Sequence, residues 1–327
     1  MKLVFMVYPC DVEQASKKSD FDLENEKIKR DFNLQVKTLG NYEYKLNKQT
    51  NEDRLGMWFS ANSLDMCKKK IDEFIEVNKS KLFEKKGLTY SLKKIDISVI
   101  FVGHGLPTKR TMSFFNERID WDVIGRMLSY ILSLGGNRIA SLDDGKNSVK
   151  FLHCFGAAPR MTESLFNNSD SKMKKYVKND FPGEVPIYEF IFPYIDGIKI
   201  KITSFFSAAI INSNTSKFSA QGIYGFYEEK NIKPLICNVD ENKNITFLYG
   251  KKQISKLDTE DINNLSIMMR PLEKYFEVNF EAIYNNKTHS DLVKMWEKII
   301  NYISLGEFRL AMTLVQNLND MIYTKQI

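Results

Sequence analysis

Two apolar runs that end in the same way constrain this chain most. Ile97-Ser98-Val99-Ile100-Phe101-Val102 leads into Gly103-His104-Gly105, and Val149-Lys150-Phe151-Leu152 leads into His153-Cys154-Phe155-Gly156-Ala157. Each run reads as a short strand buried on both faces, stopping at a reactive side chain. Between them, residues 120–134 carry Trp121, Ile124, Met127, Leu128, Ile131, Leu132 and Leu134 at helical spacing, and Gly135-Gly136 ends the pattern. Two parallel strands joined by a crossover helix finish on one edge of their sheet. That edge is where open α/β sheets assemble their sites. His104 and Cys154 are therefore expected side by side on one rim.

The flanking segments fit the same plan. Residues 3–8 form a continuous apolar run stopped by Pro9, a further buried strand. Residues 63–83 repeat Leu64, Cys67, Ile71, Phe74, Ile75 and Leu82 at a helical period, with Asn62 or Ser63 as cap and Gly87 beyond the end. Residues 96–103 and 148–153 supply the next two strands. The order strand, helix, strand, helix, strand predicts an α/β fold with a mainly parallel sheet covered by helices. Residues 16–51 are polar and read as loop. Residues 185–194 and 198–211 read as a hairpin through Asp196-Gly197, followed by short strands at 223–227, 235–239 and 245–249. Helical patterns at 259–269, 272–284, 290–304 and 307–323 close the chain. The expected division is an α/β domain at 1–255 and an α-helical C-terminal module at 256–327.

Bulk properties remove several function classes. Hydrophobic residues are 43% of the 327, enough for a packed core, which excludes a disordered chain. The net charge of +6 balances 47 basic against 41 acidic residues, too mild a surplus for a dedicated nucleic-acid binder. Lysine clusters such as Lys68-Lys69-Lys70 and Lys172-Lys174-Lys175 read as solvated surface; the sharper alternative is a pocket for a polyanionic activator. No glycine-rich dinucleotide fingerprint follows residues 3–8, and no P-loop occurs. The four cysteines make no CxxC and the three histidines no zinc spacing, so neither a disulfide framework nor a metal or cofactor is expected. A thiol enzyme in a reducing compartment fits better. The apolar start is too short for a signal peptide, and no run approaches the roughly 18 residues of a membrane span. The expected location is cytoplasmic, or a host cell reached by secretion without a cleavable signal.

Cysteine attacks as its thiolate, and its ordinary pKa of about 8.5 calls for a neighbouring imidazole at neutral pH. Cys154 as nucleophile and His104 as general acid/base make that pair. The N–H groups of Gly105 and Cys154 are candidates for an oxyanion hole. His153 should point away from Cys154 by strand alternation; it reads as structural, with a rival general base as the alternative. Asp143 and Asp144 offer acidity for a substrate pocket, or simply turn chemistry.

An apolar block ending in His-Gly, followed by a second ending in Cys, resembles the caspase-like cysteine peptidases of clan CD. Val102-Gly103-His104-Gly105 is particularly similar to the bacterial toxin autoprocessing domains, and the clostripain-type enzymes are also alike. The resemblance covers about residues 1–240. It implies a caspase-like α/β fold, a Cys154–His104 dyad and a protein or peptide substrate. It also implies that residues 201–209 line the substrate cleft, with Ser204, Phe205 and Ser207 as binding residues beside Asp144. The chain departs from the pattern at Leu152, where caspases carry Gln, so no particular cleavage residue is implied.

Three functions follow as expectations. One is a cysteine endopeptidase, in an AT-rich bacterial setting an effector that cleaves a host protein or itself. Another is a thiol deamidase or transglutaminase using the same pair. The third is a caspase-fold binding protein without catalysis, presenting the helical tail.

Overall fold

The computed structural model describes residues 1–10, 54–86, 89–92, 94–105, 109–114, 117–137, 146–157, 185–195, 198–206, 209–211, 218–220, 233–278 and 290–324. An eight-stranded sheet organises them. Its strands are β1 (Lys2–Tyr8), β2 (Arg54–Ser60), β3 (Asp96–Val102), β4 (Asn147–Leu152), β5 (Ile200–Ser204), β6 (Leu235–Val239), β7 (Ile245–Tyr249) and β8 (Lys252–Ile254). They lie in the order β8-β7-β6-β5-β4-β3-β1-β2. Strands β1 to β5 run parallel, and β6 to β8 continue the sheet antiparallel. This is the mainly parallel α/β architecture that the strand and helix order predicts, with helices packed on the sheet and further helices at the C-terminal end.

Register and alternation sort the side chains. Phe5, Val99, Val149, Ile202, Cys237 and Phe247 stand level across the sheet on one face. All six belong to the main hydrophobic core. Helix α1 (Leu64–Val77) packs Cys67, Ile71, Phe74 and Ile75 into that core. Its first turn is capped by Ser63, whose Oγ accepts the Met66 N–H at 3.3 Å. Helix α2 (Trp121–Leu132) connects β3 to β4 and buries Trp121, Ile124, Met127, Leu128 and Ile131 beside α1. The Tyr130 hydroxyl donates to Asp72 Oδ1 at 2.7 Å, tying the two helices together.

Helices α3 (Lys256–Val278), α4 (Ser290–Leu305) and α5 (Phe308–Thr324) form the C-terminal part. Leu265, Met268, Trp296, Ile299, Val315 and Leu318 join the same core as the sheet. Ser266 Oγ donates to the Phe206 carbonyl at 2.9 Å, the Phe308 ring meets Tyr249 edge-on at 5.2 Å, and the Lys233 ammonium donates to the Ser304 carbonyl. Among the described residues no helix is long and apolar enough to cross a membrane.

The structure corrects four expectations. Strand β2 has no counterpart in the sequence reading. It precedes α1, so the crossover to β3 starts at β2 and passes over β1. The helix expected at 63–83 turns at Asn78 and resumes as a short turn at Lys79–Leu82. The 185–211 hairpin is absent. Its first arm is helical, Ile187–Phe190 followed by a 3-10 turn at Phe192–Tyr194, and β5 pairs parallel with β4. Buried Ile187, Ile191 and Ile195 recur every four residues, and Pro186 and Pro193 supply helix-compatible φ without an N–H to satisfy. Finally, the helices expected at 259–269 and 272–284 are one continuous helix through 278. The strand expected at 223–227 and the Asp196-Gly197 turn lie outside the described residues.

Candidate active site

Strands β3 and β4 bring the two reactive loops level. Ser98 pairs with Ser148 and Val102 with Leu152, a constant offset of 50 residues. The Gly103 N–H donates to the Leu152 carbonyl at 3.2 Å, which carries the ladder one step past the strand ends. His104 follows β3 and Cys154 follows β4 at the same end of the two parallel strands. The loops touch at the next residue: a Cβ on Gly105 would overlap the Cys154 carbonyl oxygen and lie 2.5 Å from His153 Nδ1. Gly105 therefore uses its missing Cβ to admit Cys154 and His153.

His104 opens a three-stranded ribbon, His104–Gly105, Thr111–Phe114 and Glu117–Asp120. Its side chain is exposed, and its ring stacks over Phe114 at 6.4 Å. Phe114 in turn packs on Tyr8 at the end of β1, ring centroids 5.2 Å apart. The ribbon was legible only as the alternation Thr-Met-Ser-Phe at 111–114, whose Met112 and Phe114 are the buried pair.

Cys154 is half-buried, while Cys10, Cys67 and Cys237 are each at most 1% exposed. Burial pushes the Cys67 thiol up to about 12, with the Asp72 carboxylate adding to it, and does the same to Cys237, to about 12, with help from Glu189. Those two are inert thiols at neutral pH. Phe155, directly after Cys154, has φ +59°, a left-handed conformation that a bulky residue rarely adopts. The Ala157 N–H then donates to the Phe205 carbonyl at 2.9 Å, and the Ile187 N–H to the Gly156 carbonyl at 2.9 Å. The first bond ties the turn to the end of β5, and the second ties it to the helical segment Ile187–Phe190.

His153 is 1% exposed. Its ring lies 6.0 Å from Trp121 and 6.2 Å from Phe151, and its Nδ1 is 3.0 Å from the Cys154 carbonyl oxygen. The predicted cleft residues are less open than a binding role suggests. Ser204 is fully buried, with no hydrogen-bond partner for its hydroxyl among the described residues, and Phe205 is buried beside it. Ser207, Asp143 and Asp144 lie outside the described residues.

The buried thiols and phenols make stability fall at high pH. Tyr249 is pushed up to about 12 by burial, and Tyr8 and Tyr188 are also raised, by burial first. Each folded value stands above the ordinary one, so the stabilising contribution is full below about 8.5 for Cys and about 10 for Tyr. It is lost as pH climbs through the folded values. Thermal unfolding followed by circular dichroism should give a steady Tm up to pH about 8.5 and a falling one above it. A Tm that stays constant to pH about 11 would show these groups to be free to ionise in the folded state.

No protein-family model matches this chain, and no curated protein matches it either.

Proposed function

We propose that this chain is a cysteine endopeptidase of the caspase-like kind, with Cys154 as nucleophile and His104 as general acid/base. The observation that carries the reading is the contact of the two loops: Gly105, next to His104, lies against the Cys154 carbonyl at the C-terminal edge of parallel strands. That Cys154 is half-buried while the other three cysteines are buried adds to it.

The chemistry balances with these two side chains and water. His104 removes the Cys154 thiol proton, and Sγ attacks the carbonyl carbon of a peptide bond. The C–N bond breaks as the imidazolium returns its proton to the leaving amine. Water, deprotonated by the same imidazole, then hydrolyses the thioester. The Gly105 and Cys154 N–H groups are the donors proposed for the oxyanion. A bacterial effector acting on a host protein or on itself remains the proposed setting. A polyanionic activator is a secondary proposal resting on the lysine clusters alone.

One observation favours the non-catalytic reading, in which the fold serves binding: the His104 ring rests on Phe114, on the β1 side of β3. A peptide library analysed by mass spectrometry separates the readings. New peptide termini made by the wild type and not by Cys154→Ala support the peptidase. Deamidated or cross-linked glutamines without new termini support acyl transfer of the other kind. No change in any peptide points to the binding protein.

A further inference from the structure

His153 occupies a position where an apolar side chain would cost less. It continues the core face of β4, and a buried imidazole is unfavourable unless hydrogen-bonded. Nδ1 bonds to the Cys154 carbonyl oxygen, 3.0 Å away. A carbonyl only accepts, so Nδ1 carries the proton.

The ring is also a wedge between two loops. On one side, a Cβ on Gly105, from the His104 loop, would lie 2.5 Å from Nδ1. On the other, a Cβ on Gly156, from the Cys154 loop, would lie 2.7 Å from Cε1 and 3.0 Å from Nε2. Between Cys154 and Gly156 stands Phe155 at φ +59°. Left-handed backbone at such a residue costs about 1–2 kcal/mol and persists only where the surroundings over-determine it. His153 supplies that constraint from both ends of the turn, holding the carbonyl before Phe155 and seating Gly156 after it.

We propose that His153 is a positioning residue, holding the Cys154 turn in register with the His104 loop through its Nδ1 bond to the Cys154 carbonyl and its ring between Gly105 and Gly156. This deepens the dyad reading and rests on it. In this role His153 acts through the Cys154 turn, which separates it from a general base.

A double-mutant cycle reads this coupling. The rate of Cys154 alkylation by iodoacetamide at neutral pH is measured for wild type, His104→Ala, His153→Phe and the double variant. A fifth protein, His153→Asn, keeps an amide donor where Nδ1 stands but loses the ring. The expected result is a His104→Ala effect of about tenfold in wild type and no more than about twofold beside His153→Phe. His153→Asn should retain an intermediate rate, while both His153 variants show similar Tm values. A full tenfold effect persisting in His153→Phe overturns the positioning role and leaves the dyad standing. No effect of His104→Ala in wild type overturns the dyad and this inference together. If His153→Phe does not fold, His153→Asn decides. A His104→Ala effect reduced to about fivefold or less beside His153→Asn supports the role, and a full tenfold effect there overturns it.

Discussion

Gly105→Ala should lower stability by about 2–3 kcal/mol and silence Cys154 in the same step. The added methyl would overlap the Cys154 carbonyl oxygen and come within 2.5 Å of His153 Nδ1. The first obstacle is backbone, so no side-chain rotation relieves it. The Gly105 loop must lift from the strand exit, or the Cys154 turn must move with Phe155 and Gly156. Either movement shifts the His104 loop relative to the Cys154 turn. Gly136→Ala is the control. Gly136 has φ +81° but nothing within 4 Å of the new methyl, so only conformational strain is added, about 1–2 kcal/mol, with Cys154 reactivity unchanged. Chemical denaturation and iodoacetamide labelling on the same samples check both parts. Equal reactivity in Gly105→Ala and wild type would show that the loop contact is incidental.

Trp121→Ala should produce the larger stability loss, about 3–5 kcal/mol. Trp121 opens α2 and is, with Trp296, one of the two largest fully buried side chains among the described residues. Its ring lies 6.0 Å from His153 and 5.7 Å from Phe190, so it joins the helix, the Cys154 turn and the segment before β5. Removing it leaves a cavity directly beneath His153. Trp58 offers the contrast: it stands on the edge strand β2 with 38% of its surface exposed. Trp58→Ala should cost about 1 kcal/mol. Denaturant midpoints measure both, and comparable losses for the two tryptophans would contradict the central place given to Trp121.

The sequence made the frame legible where burial is one-sided or complete. Strands β1 and β3 are nearly unbroken apolar runs, β4 ends in the apolar Val149, Phe151 and Leu152, and the faces of α1 and α2 repeat at helical spacing, so their patterns survive without tertiary context. Strand β2 escaped because Gly56 and Ser60 dilute it; its inward residues Leu55, Met57 and Phe59 alternate with outward ones, as an edge strand's do. The 187–195 turns escaped because Tyr188, Phe190 and Phe192 look like strand formers, while the four-residue spacing of the buried isoleucines passed unread. The site was half legible. Chain order alone places His104 and Cys154 on one edge. That Gly105 and Gly156 both close on His153 depends on a contact between loops 50 residues apart, and no local pattern encodes it. Alternation did place His153 on the core side, where it lies against Phe151 and Trp121.

The most direct measurement compares the rate of Cys154 alkylation in wild type and His104→Ala at neutral pH. Exposure alone favours Cys154 over the three buried cysteines, so a ranking among thiols decides nothing; dependence on His104 does. The account predicts a loss of about tenfold or more in His104→Ala, at unchanged Tm. Identical rates in the two proteins would contradict an activated thiol, and with it the peptidase.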